Sequence, residues 1–452
     1  MTPLEKDIAM AEQIARRVKE KGGQVYYVGG FVRDALLGRE NKDVDIEVHG
    51  IRPRELEEIL DSLGQRLTMG ESFGVWGLRG CTLDIAMPRK EENRGRGHDK
   101  FDDFVDPFAG TFTAAGRRDL TINALMQEVL TGEIIDHFGG REDLKRGVIR
   151  HVREDSFGED PQRVLRVAQF AARFGFSVAP ETVALCSRLD LKDLPRERVE
   201  QEIKKALLKS EKPSVFFEVL HQSRQLHDWF PEVQALIGVN QSPKHHLEGD
   251  VWNHTMLVLD EAAKLRHRTE NPFGFMLAAL THDFGKAICS EETDGVIHSY
   301  DHETKGLPLV EAFLGRFTRE TKLIRYVMNL TQLHMKPNVM ARARSAIKST
   351  NKLFDRAEDP EALICMALAD DRGRRTQEPY SSYEEFLWQR LEIYREYMSR
   401  PFVTGKDLIA MGLTPGENFA ELLAYTHKLR LAGVPKEDAL RHVLGHARSL
   451  KK

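Results

Sequence analysis

The 452-residue chain is poor in cysteine: Cys81, Cys186, Cys289 and Cys365 are scattered, and no two of them form a CxxC pair. That excludes a disulfide framework and a zinc ribbon, and points to a reducing compartment. Long apolar runs are also missing, and nothing approaches the ~18 residues that a membrane span needs. The opening MTPLEKDIAMAEQIARR lacks a signal-peptide core and reads as an amphipathic helix, so a cytoplasmic protein is expected. There is no surplus of positive charge either. At a formal net charge of −4, any contact with nucleic acid must come from local patches, because pure backbone binders tend to be basic overall. Internal repeats and low-complexity tracts are absent.

What is present is ordinary for a soluble globular protein, with 41% hydrophobic and 30% charged residues. The length exceeds what one hydrophobic core organises, so two to four domains are expected. The first third alternates helix and strand signals. Residues 4–21 have helical spacing and stop at Gly22-Gly23, 24–28 form a short β-rich run, and Gly29-Gly30 opens a helix. Strict alternation predicts a strand over Asp43–Val48. A helix over 52–64 and a strand over 81–87 follow. Residues 88–118, rich in Gly, Arg and Asp, have no periodicity and read as a long mobile loop. From about residue 141 the pattern is helical to the end. The expected fold class is therefore α+β, a mixed-sheet head on an α-helical body. The expected boundaries are 1–140 for the head, 141–240 for a helical neck and body, 241–375 for a further helical domain and 376–452 for a helical tail.

Two features of the head carry chemistry. Asp43 and Asp45 are two apart on the expected strand, so both point to one face at roughly 7 Å between Cα atoms. Carboxylates held so can share a pair of divalent ions, and Asp84 in LDIAMPR, on a later strand, can complete the site. Gly29-Gly30 at a strand-to-helix turn offers backbone N–H groups and a helix N-terminus to phosphate. Taken singly, an Asp-x-Asp is usually a solvated strand face and a GG usually just a turn.

Together they read YYVGGFVRDALLGRENKDVDIEVHG. This resembles the signature of the class II tRNA nucleotidyltransferases and bacterial poly(A) polymerases, in which GGxVRDxLLG is followed by a short spacer and DxDI. The resemblance implies a polymerase-β-like nucleotidyltransferase head, with Asp43, Asp45 and Asp84 catalytic, Mg²⁺ bound by Asp43 and Asp45, and Gly29, Gly30 and Arg33 at the nucleotide. RRDLTINAL resembles the ribose-recognition motif, which places Arg117, Arg118, Asp119 and Asn123 at the sugar. FGGREDL, with Gly139, Gly140 and Asp143, falls where the family has a hinge. GEDPQRVLRVAQFAARFGF resembles the amino-acid template motif, with Asp160 and Arg163 reading the Watson–Crick edge of the incoming base and Arg166 close by. Asp accepts from an exocyclic amine and Arg donates to ring acceptors, which suits cytosine and adenine. Asp160-Pro161 is equally a good helix start, which would leave Arg163 on the surface.

The middle of the chain holds His254, the adjacent His282 and Asp283, then His302, His334 and Asp370. A lone histidine is more often packed or solvated than a ligand, and seventeen histidines make chance spacing plausible. The ordered set nevertheless resembles the HD metal-dependent phosphohydrolases, which implies a divalent metal site whose metal the residue types alone do not select. Lys286, after HDFG, reads most simply as solvated. The resemblance covers about residues 20–375.

For RNA, LPRERVEQEIKKALLKSEKP has the look of a solvated amphipathic helix, and Arg16, Arg17, Lys19, Lys145, Arg146, Lys204, Lys205 and Lys209 are locally basic. The family reading implies tRNA recognised by shape and phosphate, with CTP and ATP as substrates. The first expectation is an enzyme that adds CCA to the tRNA 3′ end, with phosphodiesterase or phosphatase activity at the HD site. The alternatives are a poly(A) polymerase, a CC-only or A-only enzyme, or an HD phosphohydrolase with a degenerate RNA-binding head.

Overall fold

The computed structural model describes residues 2–41, 43–68, 75–93, 101–243, 246–376, 383–416 and 418–449. It forms two compact units: Met1–Leu194 with Glu218–Gln225, and Pro195–Phe217 with Leu226–Lys452.

The first unit begins with α1 (Pro3–Glu20), started by a capping box in which Thr2 Oγ1 accepts from Glu5 N and Glu5 accepts from Thr2 N at 2.7 Å. Ala11, Ile14, Ala15 and Val18, at helical spacing, are buried along one face. The chain continues through β1 (Gln24–Val28), α2 (Gly30–Leu36), β2 (Asp45–His49), α3 (Pro53–Leu63), β3 (Arg66–Thr68), β4 (Val75–Leu78) and β5 (Asp84–Ala86). Then come β6 (Arg89–Asn93), β7 (Phe101–Val105), α4 (Gly110–Gly116), β8 (Met126–Glu128) and β9 (Ile134–Ile135). Seven strands make one mixed sheet in the order β3-β4-β5-β2-β1-β8-β9. Only β2 and β5 run parallel in it, and their register sets Asp45 opposite Asp84. Val25, Ile46, Val48 and Ile85 are fully buried, so the acidic residues ride on strands fixed by apolar neighbours.

Two expectations change here. Asp43 is not on the strand: β2 starts at Asp45, and the Asp43 amide donates instead to Asn41 Oδ1 at 3.0 Å. A local side-chain acceptor has displaced the ladder at that end. Most of 88–118 is also regular. β6 and β7 form a separate hairpin, from Arg89 opposite Val105 to Asn93 opposite Phe101, and α4 follows it. The hairpin joins no larger sheet, so alternation was not needed to build it. Residues 94–100 of that stretch lie outside the described residues. The unit continues with α5 (Gly140–Arg146), α6 (Glu154–Gly158) and α7 (Gln162–Phe174), the last burying Val164, Leu165, Val167, Ala168 and Ala171.

The second unit is helical apart from the hairpin Glu291–Thr293 and Val296–His298. Helix Val251–Leu265 begins at Asp250, whose Oδ1 accepts from Asn253 N at 2.9 Å, and lies along helix Pro360–Gly373. Helix Pro272–Thr281 is buried from Phe273 to Thr281 and packs against both of them and against Thr321–Leu333. Near the C-terminus Leu408, Leu422, Val443 and Ala447 form a small core of their own. Among the described residues no helix is long and apolar enough to cross a membrane.

Candidate active site and metal centre

In the first unit the parallel pairing of β2 with β5 puts Asp45 and Asp84 side by side, and exposed Asp43 lies just ahead of β2. Burial, reinforced by the charges of Asp84 and Asp43, raises the Asp45 carboxyl above its usual range. Asp45, with its charge opposed by two acidic neighbours, joins them in a donor set that a divalent cation would relieve. Gly29, at the turn from β1 to α2, has φ of +63°. A Cβ there would stand 3.7 Å from Arg118 Nη1 and 3.9 Å from Asp45 Oδ2, so the bare backbone faces both. Arg118 is held by Glu47, its Nη2 donating to Glu47 Oε2 at 3.1 Å, and Glu47 also meets His49 Nε2 at 2.9 Å. A neighbouring cleft of about 240 Å³ is lined by Glu47, Arg89, Arg117 and Arg118.

Behind this lies a second network. Buried Asp119 accepts from Asn123 Nδ2 at 3.0 Å and from Arg166 Nε at 2.7 Å. Burial would raise its carboxyl, but Arg166, Asn123 and Arg163 hold it below the usual range. Arg33, only 3% exposed, donates to Asn123 Oδ1 at 2.6 Å and to Asp34 Oδ1, and stacks on Phe170 and Phe174 at 5.1 and 4.9 Å. Arg163 spends its Nη atoms on Ser156 O and Arg117 O, each at 2.7 Å. Asp160 Oδ1 accepts from Gln162 N at 3.1 Å, a local turn bond; Asp160 is not the N-cap, because α7 starts at Gln162 and Pro161 stands in the cap position.

The second unit gathers His254, His282, Asp283, His302, His334 and Asp370 from separate helices. His282, His302 and His334 each point Nδ1 at the carbonyl three residues earlier, Ala279, Ser299 and Thr331, at 2.9, 2.9 and 2.6 Å. A carbonyl only accepts, so each Nδ1 carries a proton, and Nε2 is the atom through which each ring, in its neutral form, can ligate. His254 directs its Nδ1 at Glu248 Oε1, 3.0 Å away. The four Nε2 atoms converge on the carboxylates: His254 on Asp370 at 3.1 Å, His282 and His302 on Asp283 at 3.2 Å, and His334 on Asp283 at 3.9 Å. His302 and His334 bring their Nε2 atoms within 3.4 Å of each other. Two ring nitrogens facing each other beside two buried carboxylates fit a divalent cation. Gly285 allows this closeness, because a Cβ there would meet His302 O at 2.0 Å. Burial alone would raise Asp283 and Asp370. His282 and Lys286 hold the first well below the carboxylate range, and Arg374 and His254 the second.

Comparison with known proteins gives these geometries a context. Residues 25–150 match the Poly A polymerase head domain, and residues 175–237 match the family described as "Probable RNA and SrmB- binding site of polymerase A". The multifunctional CCA protein of Actinobacillus pleuropneumoniae serotype 5b is 38% identical over 363 residues, 78% of this chain and 86% of its own length. The multifunctional CCA protein of Halorhodospira halophila is 36% identical over 426 residues, 92% of this chain and 98% of its own. The chain belongs to the multifunctional CCA protein family. The fold agrees: a CCA-adding enzyme in an apo form superposes with a TM-score of 0.69 at 23% identity, covering 98% of this chain and 96% of that one. A Thermotoga maritima CCA-adding enzyme complexed with tRNA gives 0.64 at 22% identity, covering 98% of each chain. Nucleotidyltransferases of this family imply divalent metal ions, and the carboxylates of the first unit fit them.

Within this family framework, the expected residues fall into groups. Asp43, Asp45, Asp84, Gly29 and Arg118 lie around one point, while Arg117, Asp119, Asn123, Arg163 and Arg166 form the adjoining network. Arg33 joins that network through Asn123 and shares the Phe170 ring with Arg166. Gly30 starts α2, and a Cβ there would press on Asn41 Nδ2 at 3.2 Å. Lys286 is not solvated: its side chain is 12% exposed and its Nζ lies 2.7 Å from Asp283 Oδ2. Of the basic residues, Lys205 is tied to fully buried Glu202 at 2.8 Å, Lys204 lies over the Phe273 ring, and Arg16 pairs with Glu12. Sequence reasoning missed Glu47, Glu248 and His246. Glu248 accepts from both His246 Nδ1, at 2.7 Å, and His254, and its only signal was a place six residues before His254, in the turn leading to that helix.

Proposed function

We infer that this chain adds CCA to the 3′ end of tRNA, taking CTP and ATP as substrates. The relatives named multifunctional CCA proteins, and the solved CCA-adding enzymes described with CTP, ATP and tRNA, support this reading. The observation that carries it is the parallel register that sets Asp45 beside Asp84, with Arg118 across the Gly29 turn. In this reading residues 1–140 are the nucleotidyltransferase head, 141–240 the neck and body, 241–375 the HD domain and 376–452 the tail, and the protein works in the cytoplasm.

Asp43, Asp45 and Asp84 would hold Mg²⁺, which when bound activates the 3′-hydroxyl and steadies the leaving pyrophosphate. Arg118, oriented by Glu47, and the backbone at Gly29-Gly30 receive the triphosphate. Asp119 and Asn123 accept and donate at the ribose, with Arg33 and Arg166 fixing their positions. Asp160 accepts from the exocyclic amine of cytosine or adenine and Arg163 donates to the ring acceptor. Its Nη atoms must release Ser156 O and Arg117 O to do so, or Nε must serve. Uracil and guanine would leave those groups unpaired, which is a strong form of rejection.

The test uses purified protein, Mg²⁺ and tRNA transcripts ending before CCA, after CC and after CCA, with products sized to the nucleotide. Stopping at CCA supports the reading. A ladder of A residues, or a stop at CC, replaces it with a poly(A) or CC-only enzyme. No extension at all overturns it.

A second reading applies to the second unit, where His254, His282, Asp283, His302, His334 and Asp370 would hold one or two divalent ions. These ions, when bound, supply activation of water for phosphoester hydrolysis. The four inward Nε2 atoms support it.

A further inference from the structure

The metal-type cluster of the second unit opens on a cavity of about 270 Å³ whose lining also carries hydrogen-bond donors. Its lining combines Asp283, His302 and Asp370 with the donors Gln241, Lys286, Arg342 and Arg374, of which Lys286 touches Asp283 and Arg374 touches Asp370.

Gln241 is 7% exposed, and its orientation is fixed because its Oε1 accepts from Lys286 Nζ at 2.8 Å. A lysine only donates, so the amide oxygen must face it and the NH₂ group must be at the other end. That Nε2 is buried and has no hydrogen-bond partner. Arg374 repeats the pattern. Its Nη2 reaches Asp370 at 3.4 Å, and its Nε is buried without a partner. Both donors belong to residues that line this cavity, and buried unsatisfied donors are costly unless something accepts from them when the site works. Arg342, the last residue of helix Met335–Arg342, adds an exposed guanidinium to the same lining.

We propose that Gln241, Arg342 and Arg374, with Lys286 behind them, form a cradle for the phosphoryl oxygens of a phosphoester held against the histidine–aspartate cluster. The inference rests on the reading of that cluster as a metal-dependent phosphohydrolase centre and adds the groups that seat its substrate. A carboxylate has two oxygens in one plane and would satisfy a single set of partners. A phosphoryl group has oxygens in several directions, so it can meet these donors and also face cations held by the imidazoles. Lys286 and Arg374 lie against Asp283 and Asp370, while the exposed guanidinium of Arg342, whose charge also acts on Asp371, can turn to a ligand.

Calorimetry on the full chain tests this, with Mn²⁺ titrated first and inorganic phosphate titrated into the Mn²⁺-loaded protein. Arg342→Ala should weaken phosphate binding about tenfold, with Arg342→Lys in between, while Mn²⁺ affinity and CCA addition stay unchanged. Gln241→Ala should weaken phosphate binding too, and on a phosphodiester substrate both alanine variants should raise KM more than they lower kcat. Mn²⁺ binding with a phosphate affinity that Arg342→Ala leaves unaltered overturns the cradle alone. Loss of Mn²⁺ binding in Arg342→Ala also overturns it, since the residue would then be holding the cluster. If the unaltered chain binds no Mn²⁺, the metal-centre reading fails and the inference falls with it.

Discussion

The two candidate centres of this molecule hold their carboxylates in different ways. Asp43 and Asp84 are exposed and Asp45 half-buried, and they are aligned only by the register of two strands. Asp283 and Asp370 are buried under four histidines whose outer nitrogens are already committed. A nucleotidyl-transfer site must admit a nucleotide and a long RNA end, so open placement suits it. A buried cluster whose outer nitrogens are already committed spends its order beforehand, an arrangement that suits retention of ions. In the proposed reading one unit turns over a large substrate and the other holds ions.

The sharpest way to separate the centres is to remove one ligand from each. Asp45→Ala is expected to lower CCA addition by at least about a thousandfold, with Mn²⁺ binding at the histidine cluster unchanged. His334→Ala should do the reverse, and a variant that harms both activities equally would break the comparison. The next effect is subtler: Glu248 Oε1 meets both imidazoles and Oε2 accepts from the Arg375 amide, so Glu248→Gln removes the charge and leaves one oxygen for three donors, and Mn²⁺ affinity should fall about 10- to 100-fold by calorimetry. Arg166→Ala leaves buried Asp119 without its ion-pair partner. It should cost about 3 kcal/mol in chemical denaturation and raise KM for the nucleotide. The smallest effect concerns acid. Asp119 has a lowered carboxyl, so its stabilisation is present above the ordinary carboxylate range near ~4 and is lost as pH falls below it. Asp119→Asn should flatten the acid side of the stability profile, measured by thermal unfolding across pH, and leave the neutral side level.

Much of both centres was legible in the sequence, because their residues carry chemistry at fixed spacing. GGFVRD with DVDIEV located the turn and strand of the candidate active site, and the His254, His282-Asp283, His302, His334, Asp370 series named six side chains that the fold brings together. The parts that stayed hidden depend on tertiary partners. Glu47 looked like one more acid on an alternating strand, and only the fold brings Arg118 to it. Glu248 looked like a loop acid, yet it fixes His254. Lys286 looked solvated because the sequence does not show that Gln241 and Asp283 enclose it. The hairpin of β6 and β7 escaped because a ladder that belongs to no larger sheet has no need of a two-residue apolar rhythm.

One contact has a further consequence. The guanidinium of Arg33, on the helix that follows the Gly29 turn, lies over both the Phe170 and Phe174 rings of α7, the helix that also carries Arg163. In the proposed reading this ties the base-reading helix to the catalytic turn. A change of preference from cytosine to adenine during a single round of synthesis then has to arise from side chains pivoting in place, or from the growing RNA end advancing beneath them. A swing of α7 away from the catalytic turn would first have to tear the Arg33 stack apart.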